Sequence, residues 1–439
     1  MKDQMMPFLE GAFKLDGPTG SASAVMPYYT ISYNQDTKYG ENVGNGYSKY
    51  IITDLLRDTY GYQGVVCIDW GITGDVNNVY EFTGKSWGVE LLTIAERHYK
   101  VIMAGVDQFG GNNDKEPVLE AYKMGVEEHG EEFMKARFEE SALRLLRNIF
   151  NTGLFENPYL VPEESVETVG NPEFMTAGYE AQIKSVVMLK NKEKALPVEK
   201  SLKVYIPKRF VAGGINWFGQ RAEDRWEDPV NPAIAAKYFT LVDSPEEADL
   251  ALVAINSPEG GSGYDPADAS AGGNGYVPIP LQYSKYTAND ARDPSLAGGS
   301  PFEDFTNRTY KGKTRTATNT TDMTMVRETR QKMGGKPVIV LVDVSNPMVF
   351  SEIEGSADAI LIHMGVQSQA LMDLITGAAE PSGLLPFQMP GDMTTVEKQF
   401  EDVPRDMEAY TDSEGNTYDF AFGLNWSGVI DDARVATYK

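Results

Sequence analysis

The sequence predicts an α/β protein built in two regions, the first around a parallel sheet and the second a separate α/β layer structure. Two observations carry this. Short apolar runs alternate with stretches of helical period in both halves of the chain. Between the halves, residues 154–173 hold three prolines and no period, which reads as a linker.

The elements of the first half follow in order. Ser23–Tyr29 (SAVMPYY) is a β-prone run. Tyr47–Tyr60 reads as a helix with Ser48 as N-cap and Ile51, Ile52, Leu55 and Leu56 on one stripe. Gly64–Asp69 (GVVCID) is a continuous apolar run, as expected of a strand buried on both faces. Residues 88–100 have helical period, and Val101–Phe109 (VIMAGVDQF) reads as a strand. Glu131–Phe150 is a long amphipathic helix with Gly153 as its stop.

In the second half, Phe174–Asn191 reads as helix and Leu202–Ile206 as strand. Ala248–Ile255, Pro337–Val344 and Ala357–His363 are buried strands, with helical patterns at 319–333 and 367–378. Residues 256–313 form a long loop with nine glycines. Loops of that length in compact domains are usually functional or disordered. Its aromatics Tyr264, Tyr276, Tyr283, Tyr286, Phe302 and Phe305 favour order.

Composition narrows the function. The 439 residues carry 39 Lys and Arg against 64 Asp and Glu, a net charge of −25. Such a surface repels phosphate backbones and anionic lipid, so neither nucleic acid nor a membrane surface is an expected partner. No apolar run reaches the length of a membrane helix. One cysteine, Cys67, precludes an internal disulfide. His98, His129 and His363 are too scattered for a metal site, and the acidic loop lacks regular ligand spacing. No metal and no cofactor is expected.

Asp69 is the residue that suggests chemistry. It ends an apolar strand, where parallel-strand barrels hold their catalytic groups, and Trp70-Gly71 follow it. An indole beside a carboxylate suits a sugar: the ring stacks on a pyranose face while the carboxylate attacks the anomeric carbon. A carboxylate capping the next turn would leave the same pattern.

GVVCIDWG resembles the nucleophile strand of glycoside hydrolase family 3. SAVMPYYT, AGVDQF, LRNIFNTGLFENPY, SVVMLKNKEKALPV, KPVIVLVDVSNP, ADAILIHMG, EPSGLLPFQMP and FAFGLNW resemble further family elements, in the family's order, across residues 7 to 426. The resemblance implies a partial (β/α)8 barrel, its last three strand–helix units, over residues 1–155, a linker over 156–173, and an α/β sandwich domain over 174–439. It implies a retaining glycosidase that releases glucose from the non-reducing end of β-glucosides. Asp69 becomes the nucleophile. The acid/base becomes Glu259, in the loop SPEGGSGYD just after a buried strand, with Asp265 and Asp268 as competitors. Trp70 marks a glucoside preference, and Tyr29 and Met26 line the same sugar site. Cys67 reads as a small buried hydrophobe and His363 as structural. Asp75 and Asp107 are equally suited to the cleft or to packing.

The family's first barrel strands, its Lys-His motif and its sugar-gripping Arg and Asp have no counterpart in this sequence. A second polypeptide or another copy of the chain is therefore expected to complete the barrel, and the chain alone is expected to be inactive. A carbohydrate-binding or structural remnant is the alternative. The resemblance implies a periplasmic or secreted location.

Overall fold

The computed structural model describes every residue except 1, 76–84, 215–219, 262, 294–308, 401–402 and 439. It divides into two compact units between Ser165 and Val166.

In the first unit, β1 (Ala24–Val25) pairs in parallel with β2 (Val65–Val66), Ala24 opposite Val65. The ladder runs two residues further: Cys67 N–H donates to the Val25 carbonyl and Ile68 N–H to that of Gln108. The helix Tyr50–Thr59 has wide, π-type turns, and Ser48 Oγ accepts the Ile51 N–H at its start, as expected. Thr93 and Glu96 form a reciprocal capping box at the start of Ile94–Ala104. Two long helices follow, Glu116–His129, which the sequence did not signal, and Glu131–Asn151, which it did.

The expected strand Val101–Phe109 is corrected. Its first four residues are the last turn of the helix Ile94–Ala104. Val101 and Ile102 are buried there as a helical face, so the apolar run serves a different period. Gly105, at φ 105°, ends the helix in the middle of that run. Only around Gln108 does the chain reach strand pairing, through a parallel bridge to Cys67.

Asp107 follows that turn and is wholly buried. It takes Arg57 Nη2 at 2.7 Å, Arg144 Nη1 at 2.9 Å and Ser141 Oγ at 2.8 Å. Its second oxygen also accepts the Val66 N–H, at 2.9 Å. One carboxylate thus ties three chain segments to β2.

The second unit is organised by an eight-stranded sheet. Its strands in chain order are β3 (Val187–Asn191), β4 (Lys203–Tyr205), a separate hairpin of β5 (Arg209–Val211) and β6 (Arg225–Glu227), then β7 (Thr240–Val242) and β8 (Leu250–Asn256). After a small ribbon of β9 (Tyr286–Thr287) and β10 (Thr314–Arg315) come β11 (Val338–Asp343), β12 (Ala359–His363), β13 (Leu424–Asn425) and β14 (Gly428–Val429). The spatial order is β14-β13-β3-β12-β11-β8-β4-β7. The five strands from β12 to β7 are mutually parallel. Numbered by chain position they stand 2-1-3-4-5, a doubly wound sheet whose order reverses between β4 and β8.

The core follows from this layout. β8 and β11 lie inside the sheet, so Leu252, Val253, Val340 and Leu341 are all fully buried on alternating faces. Each such side chain contributes about 1.5–3 kcal/mol.

Two expectations for this unit are corrected. The helix expected over Phe174–Asn191 spans Pro172–Ser185, and Val187–Asn191 is β3, antiparallel to β12. Its run of buried apolar residues packs inside the sheet, which overrides helical continuation. The expected linker is not structureless, since it holds the helix Pro162–Thr168 and the start of Pro172–Ser185. Two of its three prolines, Pro162 and Pro172, stand at helix starts, where a missing N–H costs nothing.

The long loop is ordered where described. It carries a short helix, Pro266–Ser270, and Tyr264 packs edge-on to Tyr276. Tyr283 is fully buried, its hydroxyl donating to the Asn256 carbonyl. Phe302 and Phe305 lie outside the described residues.

Candidate active site

Asp69 is the first residue past the β2 ladder. Strand alternation buries Ile68 on one side and leaves Asp69 half-buried on the other. Its Oδ1 accepts the Trp70 N–H at 2.7 Å, and the Tyr29 hydroxyl, another neutral donor, stands within reach of the carboxylate's charge. These donors are neutral, unlike the arginines around Asp107. They orient the carboxylate without consuming it in an ion pair. The Tyr29 hydroxyl donates to the Trp70 carbonyl at 3.4 Å.

Trp70 is 53% exposed, and its ring lies over the Gly110-Gly111 backbone. A Cβ at Gly111, whose φ is +62°, would stand 2.0 Å from the indole Cδ1. Glycine there provides the seat of the ring. Met26, next after β1, is 54% exposed, so ordinary core packing does not explain it. Cys67 shares the side of Asp69. Burial and then the Asp69 charge push its thiol up, which leaves it an inert small side chain.

The Tyr29 phenol is pushed up to about 12, first by burial, then by its bond to Asp69 and that carboxylate's charge. A raised folded-state value means the neutral phenol stabilises the fold. That contribution is complete below the ordinary value of 10.0 and is lost as pH rises toward about 12. Asp69→Asn is expected to bring the Tyr29 titration down, read by NMR of labelled tyrosine Cζ. An unmoved titration would mean the two side chains do not touch.

In the second unit, Glu259 stands three residues beyond β8, at the carboxyl side of the β4/β8 reversal. Open α/β sheets bind ligands there. The glutamate backbone is pinned. Its N–H donates to Asn319 Oδ1 at 2.8 Å, and its carbonyl accepts the Thr318 N–H at 2.7 Å. Its Oε1 receives Asn256 Nδ2 at 2.9 Å and Arg209 Nη2 at 3.4 Å. Arg209 Nε bridges both oxygens of buried Asp322 at 3.0 Å, and its Nη1 reaches Glu227 at 3.3 Å. The Glu259 side chain remains 44% exposed.

The competing carboxylates are differently employed. Asp265 caps the helix Pro266–Ser270 and pairs with Arg315 at 2.9 Å. Asp268 pairs with Lys313 and accepts the Gly275 N–H. The Lys313 ammonium holds the Asp268 carboxyl below the usual carboxylate range, which does not suit a proton donor.

Arg209, Asp322, Asn319 and Asn256 escaped the reading of the sequence. One signal was available, because Arg209 follows β4 as Glu259 follows β8. Asp75, left between two roles, ion-pairs with buried Arg97 at 2.7 Å. His98 is a satisfied core histidine, its Nδ1–H on the Ile94 carbonyl and its Nε2 accepting from Asn112. His363 ends β12 with Nδ1 3.6 Å from Asp343, and burial pushes its imidazole below the ordinary value. Among the described residues, no group of three or more His, Cys, Asp and Glu gathers as metal ligands. No described helix is long and apolar enough to cross a membrane.

The structure thus brings Tyr29, Asp69 and Trp70 together in one unit and sets Glu259 in a polar cluster of the other. Comparison with known proteins finds similar sequences and folds over most of the chain. A probable beta-glucosidase C of Aspergillus flavus is 31% identical over 92% of this chain and 52% of its own length. A periplasmic beta-glucosidase/beta-xylosidase of Dickeya chrysanthemi is 27% identical with the same two coverages. The crystal structure of a beta-glucosidase from Listeria innocua in complex with gluconolactone shares the fold. Its TM-score is 0.54 at 17% identity, over 88% of this chain and 50% of that one. The chain spans about half the length of the curated relatives it matches. The model of the glycosyl hydrolase family 3 C-terminal domain matches residues 186–426, and the chain belongs to that family.

Proposed function

We propose that this chain is the nucleophile- and acid/base-bearing part of a retaining β-glucosidase that releases glucose from non-reducing ends. The observation that carries the reading is Asp69: a half-buried carboxylate at a parallel strand's end, oriented by neutral donors, with an exposed indole beside it. Asp69 attacks the anomeric carbon and forms a glycosyl ester. Glu259 protonates the departing oxygen and then deprotonates the water that cleaves the ester. Trp70 offers its ring to the sugar, and Tyr29 and Met26 line the same pocket. No cofactor enters.

In this reading, residues 1–155 are the closing strand–helix units of a (β/α) barrel, 156–173 connect, and 174–439 form the acid/base domain. Among the described residues β1 pairs on one side only, with β2. On the same unit Leu143, Ile149, Phe150 and Phe155 are exposed. Further strand–helix units covering such surfaces, within one polypeptide or from a partner, would complete the barrel, and turnover requires them. The name of the Dickeya chrysanthemi relative supports a periplasmic or secreted setting.

The test is trapping. Incubating the complete enzyme with a 2-deoxy-2-fluoro-β-glucoside should leave one fluoroglucosyl group on the peptide containing Asp69. A label elsewhere, or none despite active turnover, would overturn the reading. Glu259→Ala should slow substrates with poor leaving groups by about 10²–10⁴-fold and activated aryl glucosides far less. Azide should restore part of the loss. Equal losses on both substrates, without rescue, would move the acid/base role away from Glu259.

A further inference from the structure

We propose that a cavity in the second unit is a second carbohydrate-binding site, separate from the carboxylates, which holds a neutral gluco-oligosaccharide on Trp226. The cavity measures about 650 Å³ and opens beyond Tyr205 and Val242, the last residues of β4 and β7. Its volume falls in the range of small-molecule sites, ~300–1,000 Å³.

The aromatic platform is built, not incidental. Trp226 stands directly opposite Phe210 in the β5–β6 hairpin, and the two rings meet edge to face at 5.4 Å. That contact fixes the indole yet leaves Trp226 67% exposed. A large apolar ring held rigid in water at the rim of a cavity is the arrangement that stacks on a sugar face.

The charges select a neutral, hydroxyl-rich ligand. Lys208 pairs with Asp228 at 3.5 Å and Lys332 with Glu328 at 3.8 Å, so both lysines of the cavity are already engaged. An anionic ligand would meet the carboxylate of Asp243 as well. Hydroxyl groups, by contrast, find acceptors in the carboxylates and partners in Thr321 and Thr324.

The site is not the carboxylate cluster. Side chains alternate along β5. Arg209 points to Asp322 and Glu259, while Phe210 points to Trp226 and the cavity. Occupation of the cavity therefore requires neither Asp69 nor Glu259, and the inference stands whether or not the proposed activity does.

Calorimetric titration of the full-length protein with cellotetraose and with laminaritetraose tests it. At least one should bind with a dissociation constant of about 1 mM or tighter. Trp226→Ala should weaken binding at least about tenfold, and Trp226→Phe less. Denaturant midpoints report whether each variant folds. If Trp226→Ala does not fold, exposed Asp243 replaced by Ala should give the weakening, and Trp226→Phe a smaller one. Three results would each overturn the proposal: binding undiminished in the folded Trp226 and Asp243 variants, binding abolished by Glu259→Gln, or no binding of either tetrasaccharide at about tenfold higher concentration.

Discussion

Asp69→Asn is expected to lower β-glucoside turnover by the complete enzyme by a factor of about 10⁴ or more, with the fold intact. The amide oxygen still accepts the Trp70 N–H, so local geometry survives. What disappears is the anionic oxygen that forms the glycosyl ester in the proposed mechanism. Steady-state rates and denaturant midpoints, measured together, decide the matter. More than a tenth of the rate remaining would end the assignment of Asp69 as nucleophile. A large drop in stability would make the rate loss uninformative. In that case the inert but folded state must be sought in Asp69→Ser, for which the same two measurements apply.

Asp107→Ala should do the reverse, unfolding the first unit rather than sparing it. Removing this anion leaves Arg57 and Arg144 without their shared partner and frees the Val66 N–H. Burial already pushes the guanidiniums of Arg57 and of Arg137, whose Nη1 lies 3.9 Å from Asp107, below their usual value, so their charges are poorly solvated. Breaking a buried ion pair from one side costs about 3–5 kcal/mol, a large part of the ~5–15 kcal/mol that holds a domain together. Chemical denaturation followed in the first unit should show the loss, and Asp107→Asn a smaller one. A change under about 1 kcal/mol would mean the arginines find other partners. The contrast between the two aspartates is the point. One accepts neutral donors at a strand's end, and the other is enclosed by cations.

What could be read from the sequence followed the strength of local signals. β8, β11 and β12 are continuous apolar runs because both faces are buried, and such runs admit few other readings. Asp69 was legible because position along a strand determines where a side chain stands. The failures have equally local causes. Val101–Ala104 is apolar enough for a strand but belongs to a helix that ends at Gly105, and an apolar run without flanking period does not distinguish the two. Val187–Asn191 continues an apolar stretch after a helix, and only its pairing with β12 makes it a strand. Arg209 and Asp322 lie 113 residues apart in the chain. Their meeting depends on β4 lying beside β8, which no local window contains. The polar cluster around Glu259 is thus a product of topology, whereas Glu259 itself was marked by its place after a strand.

The position of β3 has a consequence for synthesis. Val187 pairs with Ile362, and Met188 pairs with Leu424 as well as Leu361. β3 therefore leaves the ribosome as an apolar segment whose two sheet neighbours do not yet exist. At ordinary elongation rates the wait for the first of them, about 175 residues later, lasts roughly 10–35 s. An unpaired apolar strand is a template for association with other nascent chains during that interval. The chain meets its most aggregation-prone moment while still attached to the ribosome, and the yield of folded protein should depend on what shields Val187–Leu189 until β12 emerges.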